Sequence, residues 1–164
     1  FTPLQLATYC ATIANNGTRL KTHLVKQVTN YNRDQVISET EPEVVSQVDI
    51  SQENLKIVQE AMKGVTQSGG TANSIFGDYG ITIAAKTGTA ENPGHSDNVT
   101  FIAYAPYDDP EIAVAVVLEY GSRGTYSMNV AKDIFDAYFY GKTVDENGNL
   151  VMPEETNSSG TTNE

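Results

Sequence analysis

The sequence predicts an α+β fold, an antiparallel sheet flanked by helices, and three observations predict it. The apolar pattern changes period along the chain, giving helix, strands, helix, three strands and a last helix in that order. The β-branched runs VTFIAYAP (99–106) and EIAVAVVLEY (111–120) are parted only by the turn YDDP, so they pair antiparallel. At 164 residues the chain is long enough for one sizeable core and too short for two comfortable ones.

The first helix begins at once. Thr2 can cap it, Pro3 takes the first helical position, and Gln5 stands where a capping box needs it. Phe1 and Leu6 are spaced for a hydrophobic staple across that cap. Leu6, Cys10, Ile13 and Ala14 continue one apolar face, and Asn15-Asn16-Gly17 supplies a left-handed stop. HLVKQVTNY (23–31) and QVISETEPEVVSQV (35–48) are short and partly alternating, parted by the turn-like NRD, and read as strands. Pro42 keeps the second of them off a central strand position. A second helix is predicted over 51–65, capped by Asp49 or Ser51, with Leu55, Val58, Met62 and Val65 as its buried stripe.

TQSGGTANS (66–74) ends that helix with a glycine pair. ITIAAKTGTA (81–90) is a strand by composition, and with 99–106 and 111–120 it makes a three-strand antiparallel block. The last of these runs is apolar nearly throughout, which suits a strand covered on both faces. A final helix over 126–140 is expected to turn Val130, Ile134, Ala137 and Tyr138 inward and to stop at Gly141. Residues 142–164 have little to bury, so the folded part is expected to be 1–141 and the rest an acidic, disordered tail.

Ten Lys and Arg stand against 21 Asp and Glu, a net charge of −11, which argues against a nucleic-acid partner because phosphate binding needs a basic footprint. Part of this charge is local: Asp145, Glu146, Glu154, Glu155 and Glu164 have no base among them. No run of about 18 apolar residues occurs, so no transmembrane segment is predicted. The opening residues lack the basic start and cleavage site of a signal peptide, and a chain that begins directly at a helix start is expected to be a fragment of something longer. The single Cys10 excludes an internal disulfide and reads as a buried structural thiol. His23 and His95 have no clustered Cys or carboxylate, which argues against a metal site, and no cofactor is implied.

The stretch ITIAAKTGTAE (81–91) drives an apolar strand toward the core and then places a lysine, a glycine and two threonines together. Glycine inside a strand weakens it unless another backbone must approach closely. A strand edge with such a gap accepts an extended peptide by β-augmentation. The hydroxyls of Thr87 and Thr89, with the cation of Lys86, could then hold a carboxylate at the peptide's end.

At this point the chain resembles the penicillin-binding proteins, the D,D-transpeptidases that cross-link bacterial cell wall, whose motif set ends in K-T-G after S-x-x-K and S-x-N. KTGTAE is the form typical of the monofunctional class B members. FTPLQLATYCATIANNGT resembles the opening helix of that class, and QEAMKGVTQSGGTA the helix and glycine turn before the K-T-G strand. FIAYAPYDDPEIAVAVVLEY resembles the hairpin after it and MNVAKDIFDAYF the terminal helix, so the likeness covers about residues 1–140.

The resemblance implies a partial penicillin-binding-protein/β-lactamase-like transpeptidase fold. It implies Lys86 and Thr89 as catalytic residues, Lys86 through charge and proton transfer and Thr89 through its N–H in an oxyanion hole. Thr87, Gly88 and Thr89 would bind the D-Ala-D-Ala end of a peptidoglycan stem peptide, or the β-lactam that mimics it. The parent would be anchored in the bacterial cytoplasmic membrane with this domain outside the cytosol.

The nucleophile is missing. No serine here has lysine three residues on. Ser96-Asp97-Asn98 follows Lys86 by ten residues, out of the family's order, and Ser127-Met128-Asn129 sits at a helix start where serine serves as a cap. The chain therefore reads as the C-terminal half of a transpeptidase domain, inactive alone, whose partner is the missing N-terminal half. The sheet edge left open is expected to self-associate. His95, Arg123, Tyr104, Tyr120 and Tyr126 read first as loop or packing residues. The rival readings are a non-catalytic module that binds cell-wall peptide, and a β-lactamase or β-lactam-sensor fragment.

Overall fold

In the computed structural model, residues 1–153 are described. Three strands form the centre: β5 (Ala84–Ala90), β6 (Asn98–Ala105) and β7 (Ile112–Leu118), antiparallel, in the order β5-β6-β7 and with no register shift. Alternation along β6 sends Phe101 and Ala103 to one face and Ile102 and Tyr104 to the other, all of them buried. On the first face α3 (Asn73–Phe76) and α4 (Gly124–Tyr140) pack through Phe76, Met128, Ala131 and Phe135. Phe76 stacks on Phe101 at 5.6 Å between ring centres and meets Phe135 edge-on at 6.3 Å. On the second face α1 (Pro3–Ala14) and α2 (Gln52–Gly64) contribute Cys10, Ile13, Leu55 and Met62. The α+β architecture thus stands, with helices on both faces of the antiparallel block.

The capping box of α1 forms as expected: the Gln5 N–H donates to Thr2 Oγ1 at 3.2 Å and the Thr2 N–H to Gln5 Oε1 at 2.8 Å. Asn16 and Gly17 take positive φ of 50° and 86° at its end. The hydrophobic staple does not form, because Phe1 is fully exposed and so cannot reach Leu6. Cys10 is buried, and loss of solvent pushes its thiol up to about 12, as suits a structural thiol.

Ser51 caps α2 by accepting the Asn54 N–H at 3.2 Å. Its inward stripe differs from expectation at one place: Gln59 is buried and Val58 is more than a third exposed. The reason is a partner for the amide. Gln59 Nε2 donates to the Ile13 carbonyl at 2.8 Å and to Asn16 Oδ1 at 3.2 Å, joining α2 to the end of α1.

Helix α4 is rotated from the expected face. Val130, Ile134, Ala137 and Tyr138 are exposed, while Ser127, Met128, Ala131, Phe135 and Asp136 are buried. Phe135 and Met128 interlock with the aromatic cluster on the sheet, and Asp136 is tolerated inside because three donors meet it. Lys132 Nζ, Lys142 Nζ and Tyr79 Oη each approach its carboxylate at 2.8 Å. Burial alone would raise that carboxyl; the bonds from Lys132, Lys142 and Tyr79 outweigh it and hold Asp136 below the usual range.

The region 18–48 makes four short strands. β1 (Thr18–Leu20) pairs with β4 (Val44–Gln47), and β2 (Gln27–Thr29) pairs with β3 (Val36–Glu39), each antiparallel. Pro42 lies in the connection that splits the second predicted run into β3 and β4. The supposed tail is ordered at its start: β8 (Thr143–Val144) and β9 (Leu150–Val151) close a hairpin in which the Asp145 carboxylate accepts the N–H groups of Asn147 and Asn149. Residues 154–164 of the expected tail lie outside the described residues.

Candidate active-site strand

β5 changes character halfway along. Ala84 and Ala85 are fully buried, one against each core, and their small side chains let α2 and α4 approach the strand from either side. From Lys86 the strand emerges: Lys86 and Thr89 are exposed, Thr87 and Gly88 half-buried. Along the pleat Lys86 and Gly88 share one face, and Thr87 and Thr89 the other. Lys86 Nζ donates to the Thr87 carbonyl at 2.6 Å.

Among the described residues β5 pairs only with β6, so the backbone groups of its other edge meet no second strand. Their direction follows from two bonds. The Ile83 carbonyl accepts from Thr66 Oγ1 at 2.7 Å, and the Thr87 carbonyl from Lys86 Nζ. Alternate residues of an antiparallel strand send N–H and C=O the same way, so the Thr89 N–H belongs to this outward set.

Glycines near the strand divide into two kinds. A Cβ at Gly70 would clash with the Val65 carbonyl oxygen, and one at Gly121 would sit 2.5 Å from Val99 Cγ2, so packing requires both. A Cβ at Gly88 would meet nothing nearer than Thr100 Cβ at 3.5 Å, an ordinary contact. The fold does not need the glycine of the motif.

The loop 66–72 lies along the outer edge of β5. Besides the Thr66 bond to Ile83, the hydroxyls of Thr71 and Thr87 are 3.3 Å apart. Thr71 was not among the residues singled out from the sequence; a lone threonine after a glycine pair carries no signal until the fold sets it beside Thr87.

The other candidates have structural places. In the loop after β5 the Asp97 carboxylate accepts the Asn92 N–H at 3.4 Å, and Asn98 Oδ1 accepts the Tyr120 N–H at 2.8 Å, so both are engaged in the turn that contains exposed Ser96. His95 is exposed and packs against Tyr120 with ring centres 5.4 Å apart. Ser127 is not the cap expected: Arg123 holds the N-cap position without a side-chain bond, and Ser127, buried in the first turn, donates to the Gly124 carbonyl at 2.8 Å. Tyr104 is a packing residue, whereas Tyr120 and Tyr126 are more than half exposed.

The profile of the penicillin binding protein transpeptidase domain matches residues 1–139. The chain belongs to that family. Among its curated relatives, penicillin-binding protein 2A of Bacillus subtilis is 36% identical over 158 residues, 85% of this chain and 22% of the relative. The peptidoglycan D,D-transpeptidase PbpA of Mycolicibacterium smegmatis is 38% identical over 129 residues, 73% of this chain and 24% of the relative. Penicillin-binding protein 2B of Streptococcus pneumoniae has a solved structure with TM-score 0.72 and 34% identity, covering 84% of this chain and 24% of that one. An imipenem acyl-enzyme complex of penicillin-binding protein A from Mycobacterium tuberculosis gives TM-score 0.70 at 29% identity, over 85% of this chain and 31% of that one. The chain therefore spans between a fifth and a third of the length of these relatives. Its α+β fold is that of a penicillin-binding protein transpeptidase domain.

Proposed function

We propose that this chain is the C-terminal, substrate-gripping part of a peptidoglycan D,D-transpeptidase domain that works through a serine acyl-enzyme. What supports the reading is the free edge of β5. It offers a cation at Lys86, hydroxyls at Thr87 and Thr89, a side-chain gap at Gly88 that the fold does not require, and an outward Thr89 N–H. An extended stem peptide ending in D-Ala-D-Ala adds to that edge as a strand, and its carboxylate meets the hydroxyls of Thr87 and Thr89. A β-lactam takes the same place. The Thr89 N–H stabilises the oxyanion that develops when a serine oxygen attacks the carbonyl, and one such donor is worth about 3 kcal/mol. Lys86 supplies positive charge at the acylation centre and helps proton transfer.

The serine and its lysine come from a segment outside these 164 residues, since no S-x-x-K occurs among them. Alone the chain forms no acyl-enzyme. No helix among the described residues is long and apolar enough to cross a membrane. The parent protein is held at the outer side of the bacterial cytoplasmic membrane. Where the strands of the other half are missing, the sheet edge self-associates. A clean monomer by light scattering of the 164-residue chain at high concentration would overturn that part.

The test is intact-mass spectrometry after penicillin treatment of the full-length protein, its Lys86→Ala variant and the 164-residue chain. One adduct on the full-length protein, slower labelling of Lys86→Ala and none on the short chain is the expected pattern. Labelling of the short chain would point to Ser96 or Ser127 instead. No labelling anywhere would leave a non-catalytic module for cell-wall peptide.

A further inference from the structure

We infer that Thr71, in the glycine turn after α2, is a positioning residue for the carboxylate of the substrate, acting through the Thr87 hydroxyl. The inference rests on the transpeptidase reading above and deepens it.

A threonine hydroxyl has one proton to give and two lone pairs to receive with. Thr71 Oγ1 and Thr87 Oγ1 are 3.3 Å apart, and either can be the donor. When an anionic carboxylate arrives at Thr87, it accepts only, so Thr87 must point its proton at the ligand. Thr71 then donates to Thr87. The two hydroxyls form a short relay whose direction the anion selects, and a donor that itself receives a bond is the stronger donor.

The turn that carries Thr71 is built to hold it there. Gly69 stands at φ +83°, and Gly70 has no room for a Cβ against the carbonyl oxygens of Gly64 and Val65. The Ala72 N–H donates to the Val65 carbonyl at 2.9 Å and the Gly70 N–H to that of Gln67 at 2.8 Å. Asn73 Nδ2 donates to the Thr66 carbonyl at 3.1 Å, and buried Thr66 reaches the Ile83 carbonyl. Ala72, next to Thr71, is fully buried in the core beneath β5. The turn is therefore tied to this segment at two places four residues apart, at Ile83 just before β5 and at Thr87 in the exposed half of the strand.

Thr71 and Thr87 act on the ligand's charge, so the test varies that charge. Second-order acylation rates of the full-length protein are measured with benzylpenicillin and with its methyl ester, for wild type, Thr71→Val, Thr71→Ser and Thr87→Val, with melting temperatures alongside. Thr71→Val is expected to slow benzylpenicillin about three- to tenfold, the scale of one hydrogen bond, and the ester by less than about twofold. Thr71→Ser, which keeps the hydroxyl, restores the rate. Equal slowing of acid and ester by Thr71→Val, or no slowing, overturns the positioning role, and failure of Thr71→Ser to restore the rate does the same. If wild type is acylated and Thr87→Val alone loses the preference for the acid, the transpeptidase reading survives and the role of Thr71 falls. If wild type is not acylated, both fall.

Discussion

Two regions of this chain are made of equally strand-prone sequence and come to opposite ends. In β6 the residues Val99, Phe101, Ile102 and Ala103 are buried, with a strand on each side and helices on each face. In the ribbons, Val28, Val36, Ile37, Val44 and Val45 are all between 46% and 65% exposed. Each ribbon strand has one neighbour, and none of these residues belongs to either core. A two-stranded ribbon is marginal by itself, whereas three strands with packed faces are not. The difference teaches where a site that must hold its geometry belongs. The motif strand starts between two buried alanines and reaches solvent only where ligand is expected, so its exposed half is held by its buried half.

The comparison breaks most visibly at its centre. Phe101→Ala removes a ring stacked on Phe76 in the middle of β6 and is expected to destabilise by about 3–5 kcal/mol, read from denaturant midpoints at constant slope. Asp136→Asn comes second, at about 2 kcal/mol, because it removes the charge that Lys132 and Lys142 meet while leaving an acceptor for Tyr79. The sign of its pH dependence is fixed. The folded carboxyl lies below its unfolded value, so its contribution is present above about pH 4 and is lost as pH falls through the folded value. Unfolding free energies of wild type and Asp136→Asn should converge as pH falls through the folded value. A constant gap down to that pH would show that Asp136 acts through shape.

Gly88→Ala sharpens the comparison from the other side. A Cβ there makes only ordinary contacts, so the change in stability should stay under about 1 kcal/mol while β-lactam acylation of the full-length protein falls at least tenfold. A large loss of stability would make the glycine structural after all. The smallest effect is expected in the ribbons: Ile37→Ser, 65% exposed in the wild type, should change stability by no more than about 0.5 kcal/mol. A larger loss in solution would mean that the ribbon is covered there.

Much of this was legible in the sequence. The capping box at Thr2 and Gln5, the stop at Asn16-Gly17, the Ser51 cap, the hairpin at YDDP and the K-T-G-T strand each depend on residues a few positions apart. What was misread depends on distant partners. The sequence points to Val130, Ile134, Ala137 and Tyr138 as the inward stripe of α4, whereas the buried face includes Asp136. Tyr79 and Lys142, far away in sequence or past the helix end, join Lys132 in making Asp136 an inward residue. Gln59 is buried where Val58 is expected, its partners being Ile13 in α1 and Asn16 just past the end of that helix.

By itself, then, the sequence determined the order of the main elements, the three-strand block and the strand that carries Lys86, Thr87, Gly88 and Thr89, because period, capping and turn formation are local and a motif is contiguous. Only the tertiary structure decided which face of α4 is buried, that β5 presents a free edge with the Thr89 N–H outward, and that Thr71 stands 3.3 Å from Thr87 across sixteen residues of chain. Those are properties of surfaces brought together by burial. No window of sequence contains both partners of such a contact until the core has closed around Phe76, Phe101 and Phe135.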